Sequence, residues 1–207
     1  MRNPSQFSLK TLCLAALLCA AGAAQAGIAV YTNQADFLGA VSAPGIDTFD
    51  DLSVGPYGDT LYRTAGAYDY QAYSEGGLWG VGGPGDVSLS NNVRTNPIVF
   101  SQFGAGVSAF GGNFFPTNLG GEYVPGTVAL TAADGSILRY DLTGATPSSF
   151  VGFVSSAPLA SVTLGTAGGD YWPTANNVVL AVPEPATYGM LLAGLSLLGM
   201  TARRRRG

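Results

Sequence analysis

Short runs of alternating apolar and polar residues fill the middle of the chain, separated by glycine, proline and Asp-Gly turns. Within residues 136–142, Leu138 and Tyr140 fall on one side of an extended strand, while Arg139 and Asp141 fall on the other. Such a strand packs one face on a core and turns the other to solvent, as in antiparallel sheets. The pattern therefore predicts β-structure.

Eight runs of this kind can be placed as strands, and Asp134-Gly135 between two of them predicts a hairpin turn. Roughly eight to ten strands in one domain predict an all-β fold, an antiparallel β-sandwich of two packed sheets. The predicted strands are Ile46–Leu52, Pro97–Phe103, Val107–Phe115, Thr127–Thr131, Ser136–Leu142, Ser149–Ser155, Leu159–Leu164 and Asn177–Val182.

One short helix is predicted before most of the strands. Residues 33–38 place Phe37 on the same face as Val41, and Thr32 or Asn33 can cap the first turn. Long helical periodicity is absent from the residues that follow, so this helix is the only one expected in the domain.

The first 26 residues have the layout of a secretory signal peptide. Arg2 and Lys10 give a positive start, and a short apolar stretch follows over residues 12–24. Ala24 and Ala26 then supply the small-x-small pattern of a cleavage site. We expect export by the Sec machinery and cleavage after Ala26, which leaves a passenger domain over residues 27–181.

The segment 182–207 has three parts in a fixed order. Two prolines hold its start extended, because proline lacks a backbone donor and restricts the residue before it. The uncharged residues 186–202 would reach about 26 Å as a helix, near the lower limit for crossing a bilayer. The final arginines resist translocation, which places the passenger outside the membrane. The residues that define the two ends are Val182, Pro183, Glu184 and Pro185, then Arg203, Arg204, Arg205 and Arg206.

This tripartite tail resembles the PEP-CTERM sorting signal of Gram-negative bacteria. The resemblance implies an exosortase-type sorting peptidase as partner. It also implies transient anchoring in the inner membrane, followed by release to the cell envelope or the extracellular space. Many proteins with such a tail are thought to serve an exopolysaccharide or biofilm matrix. The alternative is an ordinary tail anchor, which does not need the Pro-Glu-Pro motif.

The order of elements in the passenger also resembles the jelly-roll passengers of PEP-CTERM proteins, which are similar to lectin-like sandwiches. The elements are an early Thr48–Leu52 segment, a central Val107–Gly111 strand and the Asp-Gly hairpin. They are followed by Phe150–Phe153 and a last strand that runs into the Val-Pro-Glu-Pro motif. The resemblance implies a jelly-roll-like fold.

Composition narrows the chemistry of the passenger. Residues 27–181 carry twelve acidic residues against three arginines and no lysine, a net charge of −9. Nucleic acid is therefore not an expected partner, because phosphate binding needs a basic patch. The chain has no histidine, and both cysteines, Cys13 and Cys19, lie in the signal peptide. Triads with histidine or cysteine, and histidine-zinc sites, are excluded.

Two candidate sites remain. Trp79 and Trp172 are each bordered by glycine or proline, and exposed aromatic faces can stack on sugar rings. Asp50, Asp51 and Asp170 could supply oxygen ligands to calcium, if the two ends of the domain meet. No other cofactor is expected. The alternatives are tryptophans buried in a core and carboxylates that are only solvated.

The sequence thus predicts an exported, exosortase-sorted protein without catalytic activity, associated with exopolysaccharide at the cell envelope or in the matrix. A lectin-like carbohydrate-binding module is the alternative function. A glycoside hydrolase or lyase is a third, and it would need two carboxylates brought together in space.

Overall fold

The computed structural model of the protein describes residues 27–183, and these residues form an all-β domain. The predicted all-β class is confirmed. The signal peptide, including Ala24 and Ala26, lies outside the described residues, as do the uncharged stretch 186–202 and the arginine tail. Within residues 27–183 no helix is long and apolar enough to cross a membrane.

The described residues contain twelve strands and one short helix. In chain order these are β1 Ile28–Tyr31, α1 Gln34–Gly39, β2 Val41–Asp47, β3 Gly55–Ala65, β4 Tyr68–Gly83, β5 Asp86–Asn91, β6 Ile98–Ser101, β7 Ala109–Thr117, β8 Thr127–Ala133, β9 Ile137–Thr143, β10 Phe150–Ser155, β11 Ser161–Thr166 and β12 Trp172–Pro183.

Antiparallel pairing joins all twelve strands into one continuous sheet. Its order is β1-β10-β7-β12-β5-β4-β6-β11-β8-β9, with β2 beside β12 and β3 beside β4. The sheet curls around a core in which the rings of Phe100, Phe110 and Phe114 follow one another at centroid distances of 5.1 Å and 6.0 Å. The division into two packed sheets and the jelly-roll connectivity stay predictions.

Helix α1 has the predicted cap. The side chain of Asn33 accepts hydrogen bonds from the backbone N–H groups of Ala35 at 2.8 Å and Asp36 at 3.2 Å. Phe37 is fully buried between the helix and the sheet. A Cβ at Gly152 on β10 would lie 2.3 Å from the Phe37 ring, so the ring can dock only because this position is glycine.

The strand predicted at Ile46–Leu52 overlaps β2 only at Ile46 and Asp47, and it is wrong for residues 48–52. Strand β2 ends at Asp47, where the carboxylate accepts a hydrogen bond from the backbone N–H of Phe49 at 3.0 Å. Phe49 has a φ of 62°, a left-handed conformation that departs from the extended backbone of a regular strand. Its ring is fully buried, so burial of the ring holds this turn in place.

Four strands were missed by the sequence pattern, namely β1, β3, β4 and β5. The longest, β4, spans 16 residues and forms a hairpin with β3 that is interrupted by two irregularities in register. Glycines occupy both strands, and glycine weakens the apolar–polar alternation from which strands are predicted. The count of twelve therefore exceeds the predicted eight to ten.

Strand β12 reaches beyond the predicted passenger boundary at residue 181. Val182 pairs with Ser42, and Pro183 pairs with Val41 on β2. The same strand pairs with β7 and β5 at its other end. The first two residues of the predicted sorting segment are thus part of the sheet.

Replacing Phe37 by alanine should lower the free energy of unfolding by about 3–5 kcal/mol, because a fully buried ring is lost and a cavity remains. Urea unfolding of a protein comprising residues 27–183 measures this change. Ile137→Ala is the matched control, since Ile137 is 77% exposed and should change stability by less than about 0.5 kcal/mol. Equal losses in the two variants would contradict the packing described for α1.

Candidate functional site

The two tryptophans, 93 positions apart in the chain, line the same cleft. Trp79 on β4 pairs with Ser90 on β5, and β5 meets β12 through Leu89 and Ala175. Trp172 is the first residue of β12. Strand β5 therefore lies between the two strands that carry the tryptophans, and this order brings both indoles to the same cleft. Both side chains are partly buried, with part of each ring accessible from the cleft.

The cleft is small and open. Its volume is about 130 Å³, below the roughly 300 Å³ at which pockets for drug-sized molecules begin. The indole N–H of Trp172 donates to the backbone carbonyl of Asn92 at 3.2 Å, which fixes the ring plane. A cleft of this size has room for one or two rings of a larger ligand.

A row of hydroxyl groups supports the cleft from below. Thr117 and Thr174 share a hydrogen bond of 2.8 Å, Thr174 donates to Ser90 at 3.2 Å, and Ser90 donates to the carbonyl of Pro173 at 3.1 Å. The three hydroxyl side chains are buried. This row joins β7, β12 and β5, so it helps to hold β12, which carries Trp172, in register with its two neighbours.

Asn91, beside the cleft, has a buried side chain with one unsatisfied acceptor. It lines the cleft and is only 3% exposed. Its amide nitrogen donates to the carbonyls of Val93 at 2.9 Å and Asn96 at 2.6 Å, and these two acceptors fix which end of the amide is nitrogen. Oδ1 accepts no hydrogen bond from the described residues. A buried acceptor of this kind costs about 1–3 kcal/mol. Asn91 lies opposite the core residue Leu78, so its Oδ1 does not face a ligand in the cleft.

The wall of the cleft is a tight turn over residues 118–122. Asn118 Oδ1 accepts hydrogen bonds from the backbone N–H groups of Gly120 at 2.9 Å and Glu122 at 3.0 Å. Gly121 has a φ of 78°, and a Cβ there would lie 2.8 Å from Val81 on β4. Glycine thus lets the turn press directly on the sheet, with Leu119 at the rim, 84% exposed.

The three acids predicted to bind calcium are not brought together. Asp51 pairs with Arg63 at 2.6 Å, and Asp170 pairs with Arg94 at 3.1 Å, while Asp50 is exposed. Residues 27–183 contain no group of three or more acidic, histidine or cysteine side chains that could hold a metal ion. Calcium binding stays a prediction, and the described part of the chain offers it no assembled ligand set.

Asp51 belongs instead to an ionic cluster around Arg63. The guanidinium donates to both oxygens of Asp47 and to both oxygens of Asp51, at 2.6–2.9 Å. Asp47 is buried and also accepts a hydrogen bond from the hydroxyl of Tyr70 at 2.7 Å. The cluster ties β2, β3 and β4 to the turn that follows β2.

Charge pairing in this cluster fixes its protonation. The hydrogen bonds that Arg63 donates lower the pKa of Asp51, and the accepting carboxylates of Asp51 and Asp47 raise the pKa of Arg63. Burial raises the pKa of Tyr70 well above its usual value, and the nearby Asp47 carboxylate adds to the shift. Arg63 therefore stays charged and Tyr70 stays neutral near pH 7.

Sequence reasoning nominated the two tryptophans but missed the polar residues around them. Asn91 and Asn118 lie in stretches rich in asparagine, serine and glycine, which gave no reason to single them out. Their role depends on β4 and β5, two of the strands that the pattern did not predict. The run Asn118-Leu119-Gly120-Gly121 is the one local signal from which a structured turn could have been predicted.

Comparison with known families identifies the C-terminal segment. The model of the PEP-CTERM protein-sorting motif matches residues 181–206. Of these, Ala181, Val182 and Pro183 form the end of β12, and the rest, including Glu184, Pro185 and Arg203–Arg206, lie outside the described residues. Neither a curated protein nor a solved structure matches the chain.

Acidification should destabilise the domain through its paired carboxylates. The pKa values of Asp51 and Asp134 are lowered in the folded state, by Arg63 and by the hydroxyls of Ser136 and Ser155 respectively. A lowered pKa contributes stability that is present above the unfolded value and is lost as pH falls toward the folded value. We expect a constant unfolding free energy from pH 7 to about pH 5 and a decline below about pH 4.

Urea unfolding at a series of pH values measures this decline. The Asp51→Asn and Asp134→Asn double variant removes both groups, so its decline should be shallower than that of the unchanged protein. Superimposable pH profiles for the two proteins would contradict the assignment.

Proposed function

We propose that this chain, which carries a PEP-CTERM sorting motif, is an exported protein of the cell envelope or extracellular matrix that binds polysaccharide through its two-tryptophan cleft. The motif marks an exosortase-sorted protein, held at its C-terminus in the membrane before sorting. The observation that carries the binding function is the convergence of Trp79 and Trp172 in one cleft.

The surroundings of the tryptophans support a sugar as ligand. Indole faces stack on the apolar face of a sugar ring, while hydroxyls on the ring edge need hydrogen-bond partners. The cleft supplies both kinds of contact, since Asn92 and Asn118 line it beside the indoles. The geometry thus favours the lectin-like module, the second of the functions that the sequence predicted.

The charge of the domain favours a neutral polymer. Each arginine in residues 27–183 is ion-paired, Arg63 with Asp47 and Asp51, Arg94 with Asp170 and Arg139 with Asp141. The net charge of this part of the chain is −9, from twelve acidic residues and three arginines. A polyanionic chain would meet repulsion and find no unpaired arginine, so a neutral polysaccharide is the better match.

The proposed role is binding without cleavage. Hydrolysis of a glycosidic bond ordinarily uses two carboxylates that flank the bond. The residues that line the cleft are aromatic, aliphatic, serine and asparagine, with no carboxylate among them. A binding protein anchored first in the membrane and then sorted would connect the cell surface to its polysaccharide matrix.

Processing at the sorting motif is the first test. Mass spectrometry of the protein from exosortase-competent cells should find a C-terminus close to Pro183-Glu184-Pro185, without the arginines. Cells that lack the exosortase should keep the full tail and serve as the control. Intact chains ending in Arg203–Arg206 as the dominant species in competent cells would contradict sorting by cleavage.

Retention of the producing strain's own exopolysaccharide is the second test. Trp79→Ala and Trp172→Ala should each weaken binding about 2- to 10-fold, because one stacked ring contributes about 0.5–1.5 kcal/mol. Phenylalanine at either position should restore much of the binding, and Ile137→Ala should leave it unchanged.

The melting temperature separates binding from folding in these variants. It should stay within a few degrees of the unchanged protein, since both rings are only partly buried. A large drop would identify that tryptophan as a core residue. Shortening of the polymer on incubation would identify an enzyme instead of a binding protein.

A further inference from the structure

The outward face of β4 continues beyond the cleft. Along this strand the side chains of Tyr70, Ala72 and Ser74 are buried, while the alternate positions point outward. Gln71, Tyr73 and Glu75 occupy these outward positions, and Trp79 and Val81 follow on the same face after an irregularity in register. The cleft is therefore one end of a longer exposed surface.

Aromatic side chains are spaced along this surface. Tyr73 is 38% exposed, and Tyr62 on the neighbouring strand β3 is 73% exposed, high values for side chains of this size. Tyr62 lies opposite Gln71, and Tyr73 lies opposite Thr60, so both tyrosines share the face of the β3–β4 hairpin. Asn92 joins the surface to the cleft, since it lines the cleft and donates to the carbonyl of Gly76 at 3.1 Å.

A larger cavity lies at the far end, beside the turn of the β3–β4 hairpin. Its volume is about 420 Å³, and it is lined by Tyr62, Arg63, Thr64, Asp69, Tyr70 and Gln102. Gln102 has a φ of 53°, and such left-handed backbone at a residue other than glycine costs energy and clusters at binding sites. The exposed ring of Tyr62 thus lies beside hydroxyl, carboxylate and amide groups that can bind sugar hydroxyls.

The charge at this end of the surface is negative. Arg63 is held by Asp47 and Asp51, so Asp69 and the nearby Glu75 leave the surface with an excess of negative charge. An anionic ligand is disfavoured here as well. From Tyr62 to Pro56, which lies opposite Trp79, strand β3 advances six residues, or about 20 Å. A single sugar cannot contact both ends.

From this arrangement we infer that Tyr62 and its cavity form a second binding site for the same polymer. The inference rests on the proposed function, and it deepens that function by naming the ligand as an internal segment of an extended neutral polysaccharide. One chain lies along β4 with a ring stacked at the tryptophan cleft and another stacked on Tyr62. Engagement at two points raises affinity by avidity without requiring a deep pocket.

Chain-length dependence tests the second site. The protein recovered after export is titrated calorimetrically with size-fractionated neutral fragments of the producing strain's exopolysaccharide, and with the intact polymer. Affinity should rise with fragment length until a fragment spans both ends. Tyr62→Ala should weaken binding of long fragments about 2- to 10-fold and leave short fragments unaffected. Trp79→Ala should weaken binding of both.

Tyr62→Phe and Ile137→Ala are the controls. The first keeps the ring and should bind long fragments nearly as well as the unchanged protein, and the second alters an exposed side chain on the distant strand β9. Unchanged long-fragment affinity in Tyr62→Ala, with Trp79→Ala still impaired, would overturn the second site and leave the proposed function standing. Failure of the unchanged protein to bind the intact polymer would overturn both.

Discussion

The pairing of the last strand, β12, with three others is the constraint on which the rest of the structure depends. Its N-terminal half pairs with β7 and meets β5, and its C-terminal half pairs with β7 on one side and β2 on the other. Ala175 and Val178–Ala181 are fully buried along it. A chain that lost this strand would lose the centre of its sheet, so the domain is complete only when the chain has been made as far as Pro183.

The same strand connects binding to sorting. Its first residue, Trp172, lies in the cleft, and its last three residues are the first three of the sorting motif. Cleavage after Pro183 would leave the sheet intact, whereas cleavage within residues 181–183 would remove pairs with β2. Cleavage of the tail after Pro183 would thus leave the proposed binding surface unchanged.

Local signals in the sequence predicted local structure well. The Asp134-Gly135 hairpin between β8 and β9 and the helix capped by Asn33 are confirmed, because each depends on residues within a few positions. The strand over 46–52 was wrong beyond Asp47, because burial of Phe49 and the bond from its N–H to Asp47 override the apolar run. Strands β3 and β4 were missed because glycine obscures their alternation, whereas β5 does alternate, with Val87 and Leu89 between polar residues, and was missed because it spans only six residues.

In the candidate site, too, local features could be predicted from the sequence and long-range contacts could not. Trp79 and Trp172 could be selected from the sequence because each is an aromatic residue bordered by glycine or proline. Their proximity could not be predicted, because it depends on β5 lying between β4 and β12, and the order of strands in a sheet is not encoded in any local pattern. The convergence of Tyr62 with Gln102 likewise depends on β6 pairing with β4. The sorting motif could be predicted from the sequence, because it is defined by the order of its residues along the chain and not by a folded structure.

The two tryptophans of the cleft are the only two in the chain, so intrinsic tryptophan fluorescence reports on this site alone. The most direct test of the account is therefore a titration of the exported protein with the neutral exopolysaccharide, followed by tryptophan emission and, in parallel, by cosedimentation. The account predicts a saturable change in emission with the same midpoint as the sedimentation curve. Binding in the sedimentation assay with unchanged tryptophan emission would contradict the assignment of the cleft.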